Sequence, residues 1–236
     1  KKDQVYIQRM HLKDKMGIKM YTKDKVDKFN KQGYIHLKDV IESDLLSFTR
    51  YHSIELKNHY KQFEGQPRAN GSGTYWKGLE MASTLNPLLF ESYTHPNMLE
   101  IAKSFLQVDE PYLFNDQVVV KLPNETFSFE PHYDNQYGPD PEAALRGEFK
   151  TINCCQILTN MTEETGPLSC FNNQTQQYDL LPANNGDIIV IDGNTLHSST
   201  HNKSGKIRAL YACVYSTHSI GNFQSGYYTQ KFPHKN

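Results

Sequence analysis

The sequence predicts an α+β chain, mainly β, in which an antiparallel barrel or jelly roll carries helices packed on one side. Two observations support this. Up to residue 110 apolar residues recur mostly at helical spacing. After Pro111 they fall into short β-branched or aromatic runs divided by turn signals. Helices gathered ahead of many short strands suit a helical layer on an antiparallel sheet, not the alternating units of a parallel one. No internal repeat and no glycine-rich phosphate-binding pattern interrupts this plan.

Taken in order, residues 1–21 have no clear period and read as an irregular lead-in. Thr22 can cap a helix over 23–32 that buries Val26 and Phe29, with Gly33 as its stop. Tyr34-Ile35-His36-Leu37 is a short strand. Ser43 opens a longer helix in which Leu45, Leu46, Phe48, Tyr51, Ile54, Leu56 and Tyr60 recur at helical intervals, and residues 65–73 are polar and glycine-rich. Asn86-Pro87 and His95-Pro96-Asn97 start two more short helices. The strand runs are 118–120, 127–129, 152–158, 168–171, 188–191 and 210–215, separated by turns such as Gly166-Pro167, Asn184-Asn185-Gly186 and Asp192-Gly193-Asn194.

With 236 residues, the chain suits one domain, 1–236, with a mostly helical part over 1–110 and a strand-rich core over 111–236. Its 25 Lys and Arg against 26 Asp and Glu leave a net charge of −1, so no global field draws nucleic acid or an anionic membrane. No apolar run approaches the roughly 18 residues a membrane span needs, and the start lacks a signal-peptide core. A chain that began inside a longer protein would have lost any targeting segment. Cys154, Cys155, Cys170 and Cys213 lie in or beside strand runs without Cys-x-x-Cys spacing, as reduced thiols of a cytoplasmic protein would. The expected partner is a small molecule, with no nucleic acid, membrane or obligate protein partner.

Chemistry gathers in two stretches. Residues 130–134 contain His132 and Asp134, two apart, which on a strand would project from one face. His197 follows the apolar run 188–191 and a turn, where a barrel could fold back on itself. Two histidines and one carboxylate leave three octahedral positions open, the arrangement of non-haem Fe(II) oxygenases; zinc could use the same three in tetrahedral geometry. A lone His-x-Asp is more often a hydrogen-bonded pair than a metal site. Arg208 changes the balance, because an arginine inside the apolar run 207–215 is costly unless it meets an anion, and its fork suits a carboxylate. Ser199 shares a face with His197 and offers that anion a hydroxyl. Metal, open positions and arginine together describe a site for a bidentate 2-oxo acid.

These parts, in order, resemble the phytanoyl-CoA dioxygenase family of Fe(II)/2-oxoglutarate-dependent oxygenases. The matching stretches are Lys121-Leu122-Pro123, His132-Tyr133-Asp134, Thr162-Glu163-Glu164-Thr165-Gly166-Pro167-Leu168, Gly186-Asp187, Leu196-His197-Ser198-Ser199 and Arg208, preceded by a helix and strand over 29–40. The resemblance covers about 25–216. It implies a double-stranded β-helix (a jelly-roll, cupin-like barrel), His132, Asp134 and His197 as Fe(II) ligands, and Arg208 with Ser199 on the distal carboxylate of 2-oxoglutarate. It further implies O2 as the second co-substrate and oxidation of an unactivated C–H bond, by hydroxylation, desaturation or oxidative cyclisation, with release of succinate. Two departures, Cys155 where the family often has tryptophan and Phe171-Asn172-Asn173-Gln174 where it often has Pro-Gly-Ser-His, argue against carrying over an acyl-CoA substrate. Asp134 disfavours a halogenase, which needs a small residue at that position.

Trp76 and Lys77, beside Tyr75 in the 65–82 loop, and Asn115, Gln117 and Asn153 on inner strands are candidates for contact with substrate or co-substrate. His201 reads as a surface residue, and the histidines of the helical half as solvent-facing or satisfied in the core. Two other readings remain at the level of sequence: a redox-neutral metal-dependent barrel enzyme and a non-catalytic ligand-binding barrel.

Overall fold

A computed structural model describes residues 21–66, 78–137 and 140–218 of the chain. Helix α1 (Lys23–Gln32) follows Thr22 and stops where Gly33 takes φ 87° and donates its N–H to Phe29 O. Strand β1 (Tyr34–Leu37) leads to α2 (Ser43–Tyr60), β2 (Gly78–Glu80), then α3 (Ala82–Leu85), α4 (Leu89–Tyr93) and α5 (Pro96–Leu106). The two proline starts predict two helices here, and the structure has three; α5 begins at Pro96, where a missing N–H costs nothing. After them come β3 (Tyr112–Lys121), β4 (Phe129–His132), α6 (Pro141–Leu145), β5 (Thr151–Ile157), β6 (Leu168–Asn172), β7 (Gln177–Leu181), β8 (Ile188–Asp192), β9 (His197–Ser199) and β10 (Arg208–Ser216).

The strands form two antiparallel sheets. The larger has six strands in the order β1-β8-β5-β10-β3-β2, and the smaller four in the order β4-β9-β6-β7. The run expected over 127–129 forms a strand only from Phe129 onward. Strands β2 and β7 lie outside the expected runs. Strand β7 reads poorly because it is a sheet edge whose residues are mostly exposed and so lack apolar alternation.

Strand parity explains the continuous apolar runs of β5, β8 and β10. One face of the large sheet (Val118, Val120, Ile152, Cys154, Ile188, Val190, Tyr211, Cys213) packs under the helices with Phe29, Leu56, Ile101 and Phe105. The opposite face (Val119, Cys155, Ile157, Ile189, Ile191, Leu210, Ala212) meets Leu168, Cys170 and Leu181 of the small sheet. Both faces are therefore buried, and alternate residues serve two different cores. Arg208 shares the parity of Leu210 and Ala212, which aims it between the sheets. All four cysteines are buried free thiols. Among the described residues no helix is long and apolar enough to cross a membrane.

Two of the sequence stretches prove to be scaffold. Asp187 accepts from Asp39 N, Asn184 N and His36 Nε2 at 2.8, 2.9 and 2.8 Å, tying the chain after β1 to the head of β8. In 162–168, Thr162 and Thr165 cap a one-turn 3₁₀ helix reciprocally and Gly166 ends it at φ 74°. A Cβ on Gly166 would stand 2.3 Å from Thr200 O and 2.5 Å from His201 O, so the turn lies flat on the chain leaving β9. Gly166→Ala combines left-handed strain with a backbone clash and is expected to destabilise the fold by about 3 kcal/mol. The loss would appear as a lower urea midpoint at unchanged slope.

Candidate functional site

Strands β4 and β9 pair with His132 directly opposite His197, after a register shift between Phe129 and His132. That irregularity turns the end of β4 toward the space between the sheets, a common use of bulges beside sites. The imidazole centroids lie 4.4 Å apart. Asp134 is not on the strand as the two-residue spacing suggests. The strand ends at His132, and Asp134 opens a 3₁₀ turn, Asp134–Tyr137. The carboxylate still arrives beside both rings, with Oδ1 3.9 Å from His132 Nε2 and 3.6 Å from His197 Nε2.

Backbone contacts set the tautomers. His132 Nδ1 lies 2.7 Å from Glu130 O, and His197 Nδ1 lies 2.9 Å from Thr195 O. A carbonyl can only accept, so each Nδ1 carries the proton and each Nε2 presents its lone pair to the cluster. Asn153 donates to Asp134 Oδ2 at 2.9 Å, which turns Oδ1 toward the imidazoles. Three electron-rich ligand atoms within 4.8 Å of one another repel unless a cation lies among them. Two nitrogens and a carboxylate oxygen at this spacing fit a first-row divalent metal.

The same cavity is lined by Arg208, Ser199, Val119, Leu210, Cys155 and Gln117. Arg208 is 0% exposed, and its Nε and Nη2 have no partner among the described residues. Burial pulls the guanidinium down to about 10. Two orphan donors on a buried cation leave a large desolvation cost uncompensated, which an anion in the cavity would offset. Directly across the strand pair stands Lys121, equally buried. It donates to Ser199 Oγ at 2.8 Å and to Thr200 O, and its ammonium lies 5.8 Å from the Phe129 ring centroid. Burial first, then the nearby Arg208 charge, lowers its pKa to about 7. Because Ser199 Oγ accepts from Lys121, the hydroxyl proton is left to donate elsewhere.

The sequence candidates thus divide. His132, Asp134, His197, Arg208 and Ser199 share one cavity. Asn153 lines it too, but is engaged by Asp134, and Gln117 lines it with Nε2 unpartnered. Asn115 does not line the cavity; it is buried, and its Oδ1 accepts from Met81 N at 3.4 Å, bracing the turn into α3. Trp76 and Lys77 lie outside the described residues. His201 is exposed as expected, and His36 is satisfied by Asp187. Lys121 was matched only as part of a motif; the signal for its role is a lysine closing the apolar run 118–120 opposite the one internal arginine of β10.

The family model of phytanoyl-CoA dioxygenase (PhyH) matches residues 29–210, well over half of the chain. The chain belongs to the phytanoyl-CoA dioxygenase family. Membership makes it a non-haem Fe(II)/2-oxoglutarate-dependent oxygenase by class. Solved structures with the same fold include the non-heme alpha ketoglutarate dependent carbocyclase SnoK from nogalamycin biosynthesis, with 18% identity and TM-score 0.69 over 87% of this chain and 89% of that one. The epimerase SnoN of the same biosynthesis gives 18% and 0.67 over 84% and 86%. EctD from S. alaskensis gives 17% and 0.68 over 83% and 76%. These likenesses establish the double-stranded β-helix. A search of curated protein sequences finds no match.

Lys121 supplies a pH signature. Its depressed pKa means the ammonium is complete below about 7 and is lost as pH rises through that value. The affinity for a dicarboxylate in the cavity is therefore expected to fall between pH 6 and 8.5. Calorimetric titration of 2-oxoglutarate across that range should show the decline in the natural protein and a flat profile in Lys121→Met.

Proposed function

We propose that His132, Asp134 and His197 hold Fe(II), that Arg208 with Ser199 anchors the distal carboxylate of 2-oxoglutarate, and that the enzyme oxidises an unactivated C–H bond of a small molecule. The observation that carries this reading is Arg208, a wholly buried guanidinium with two unpartnered donors facing the cavity where three ligand atoms converge. Iron and 2-oxoglutarate, when bound, supply oxidation by O2 coupled to decarboxylation of the 2-oxo acid to succinate.

The chain's own residues do the holding. Carbonyl bonds at both Nδ1 atoms hold the imidazoles turned with Nε2 toward the cluster, and Asn153 keeps Asp134 offering one oxygen. The Arg208 fork and the Ser199 hydroxyl read the far carboxylate, with Lys121 adding charge behind the serine. Val119 and Leu210 wall the space beside Arg208 and keep water from it. Hydroxylation is the first outcome to test, and desaturation or ring closure would use the same residues. Support for leaving the outcome to the substrate comes from the related folds, which include an epimerase, a carbocyclase and EctD crystallised with 2-oxoglutarate and 5-hydroxyectoine. Four unpaired thiols support a cytoplasmic setting.

The test is anaerobic loading with Fe(II) and 2-oxoglutarate, then O2 in the presence of amines, amino acids and lipophilic acids, with succinate as readout. A visible charge-transfer band on loading and substrate-dependent succinate are expected. His197→Ala should bind no iron. Arg208→Ala should keep iron but lose about 3 kcal/mol of 2-oxoglutarate affinity, on the order of a hundredfold. Absence of the band in the natural protein would favour a redox-neutral metal enzyme, and unchanged activity in either variant would sink the assignment.

A further inference from the structure

Asp134 sits two residues beyond the end of its strand, in a 3₁₀ turn, yet its Oδ1 lies within 4 Å of both imidazole Nε2 atoms. Its neighbour Asn135 is 4% exposed and fully engaged. The Asn135 backbone N–H donates to Gly193 O at 3.0 Å. Its side-chain Oδ1 accepts from Thr151 Oγ1 at 2.6 Å, and its Nδ2 donates to Asn194 Oδ1 at 2.8 Å. Asn194 in turn donates through Nδ2 to Ala144 O at 3.1 Å, and Gly193 N donates to Thr151 O at 2.9 Å.

Three segments of the candidate site meet in this knot. Thr151 opens β5, two residues before Asn153, which holds Asp134 Oδ2. Gly193 and Asn194 form the turn into Thr195, whose carbonyl sets the His197 ring. Asn135 is covalently next to Asp134. The packing is tight: a Cβ on Gly193 would stand 1.9 Å from Thr151 Oγ1 and 2.8 Å from both amide atoms of Asn135. The turn that carries the carboxylate is thus tied to the turn that leads to His197 through the side-chain amide of Asn135, which hydrogen-bonds to neither Asp134 nor His197.

We propose that Asn135 is a positioning residue that sets the Asp134–His197 spacing, and through it the affinity and geometry of the metal; this rests on the assignment of those two residues as ligands. Ligand-orienting hydrogen bonds of this kind are commonly worth roughly 10–100-fold in metal affinity. Thr151→Val removes the hydroxyl donor to Asn135 while keeping shape and touches none of the three cluster residues; Asn135→Ala removes both side-chain bonds of the amide and leaves the backbone bonds in place.

The experiment titrates full-length protein with Co(II), whose visible spectrum reports coordination, and repeats the affinity measurement with Fe(II) under anaerobic conditions. Thermal midpoints are recorded beside both. Thr151→Val and Asn135→Ala are expected to bind roughly 10–100-fold more weakly and to shift the bound Co(II) spectrum, while Thr151→Ser restores both. Tyr211→Phe serves as control: it deletes a buried hydrogen bond to Asp116, 2.6 Å long, on the helical side of the sheet, and should lower the midpoint without moving the spectrum. Should Asn135→Ala fail to fold, Thr151→Val decides. Natural affinity and spectrum in Thr151→Val would overturn the proposal, as would an equal loss in Tyr211→Phe. If the natural protein bound neither metal, the ligand assignment itself would fall.

Discussion

Two cations facing each other at the end of the buried space between the sheets set the terms for the whole structure. The inner face of the large sheet runs through Ile157, Val119, Leu210 and Ala212, and ends where Lys121 and Arg208 stand opposite in register. Desolvating two like charges side by side costs several kcal/mol per ion in real proteins. Lys121 recovers part of that from Ser199 Oγ, the Thr200 carbonyl and two aromatic rings. Arg208 recovers much less. The fold therefore carries an unmet electrostatic requirement, sustained by burying both faces of the large sheet, which a bound dicarboxylate would answer.

The other end of the cavity is organised by backbone instead of charge. Each histidine bonds through Nδ1 to the carbonyl two residues before it, Glu130 for His132 and Thr195 for His197, so the ring orientation follows from local chain path. The β4–β9 register then brings the rings together. The carboxylate obeys a different logic, because its place depends on side-chain amides from elsewhere in the sequence. Two members of the cluster are thus held by regular structure and one by a polar knot.

Much of this was legible in the sequence, and the reasons differ by residue. The apolar runs 188–191 and 210–215 announced strands, and an arginine inside the run 207–215 was costly enough to call for an anion beside it. His132 and Asp134 were correctly paired for an incorrect reason: strand alternation was invoked where a register shift and a 3₁₀ turn do the work. Asn115 misled because a polar residue on an inner strand can be spent on scaffold, here on Met81 N. Asn135 was invisible, since one asparagine after a ligand has no pattern, and its partners Thr151 and Asn194 lie 16 and 59 residues away. Periodicity reports local structure; a polar knot between distant segments leaves no period.

What the interior does with its polar groups also bears on substrate choice. Asn153 is committed to Asp134, and Ser199 accepts from Lys121, which leaves its proton for a bound ligand. Of the cavity-lining amides, Gln117 has an Nε2 donor with no partner among the described residues, on the strand that leads to Lys121. If iron and a 2-oxo acid take the remaining polar groups, one cavity-lining amide among the described residues is left with which to recognise a third molecule. Discrimination among substrates would then fall largely to residues outside this cavity lining, since connecting loops vary more readily than the strands that hold the cluster and the cation pair. On the proposed function, the same cluster and cation pair would stand behind hydroxylation or ring closure alike, and the outcome would depend on which C–H bond the bound molecule presents to them.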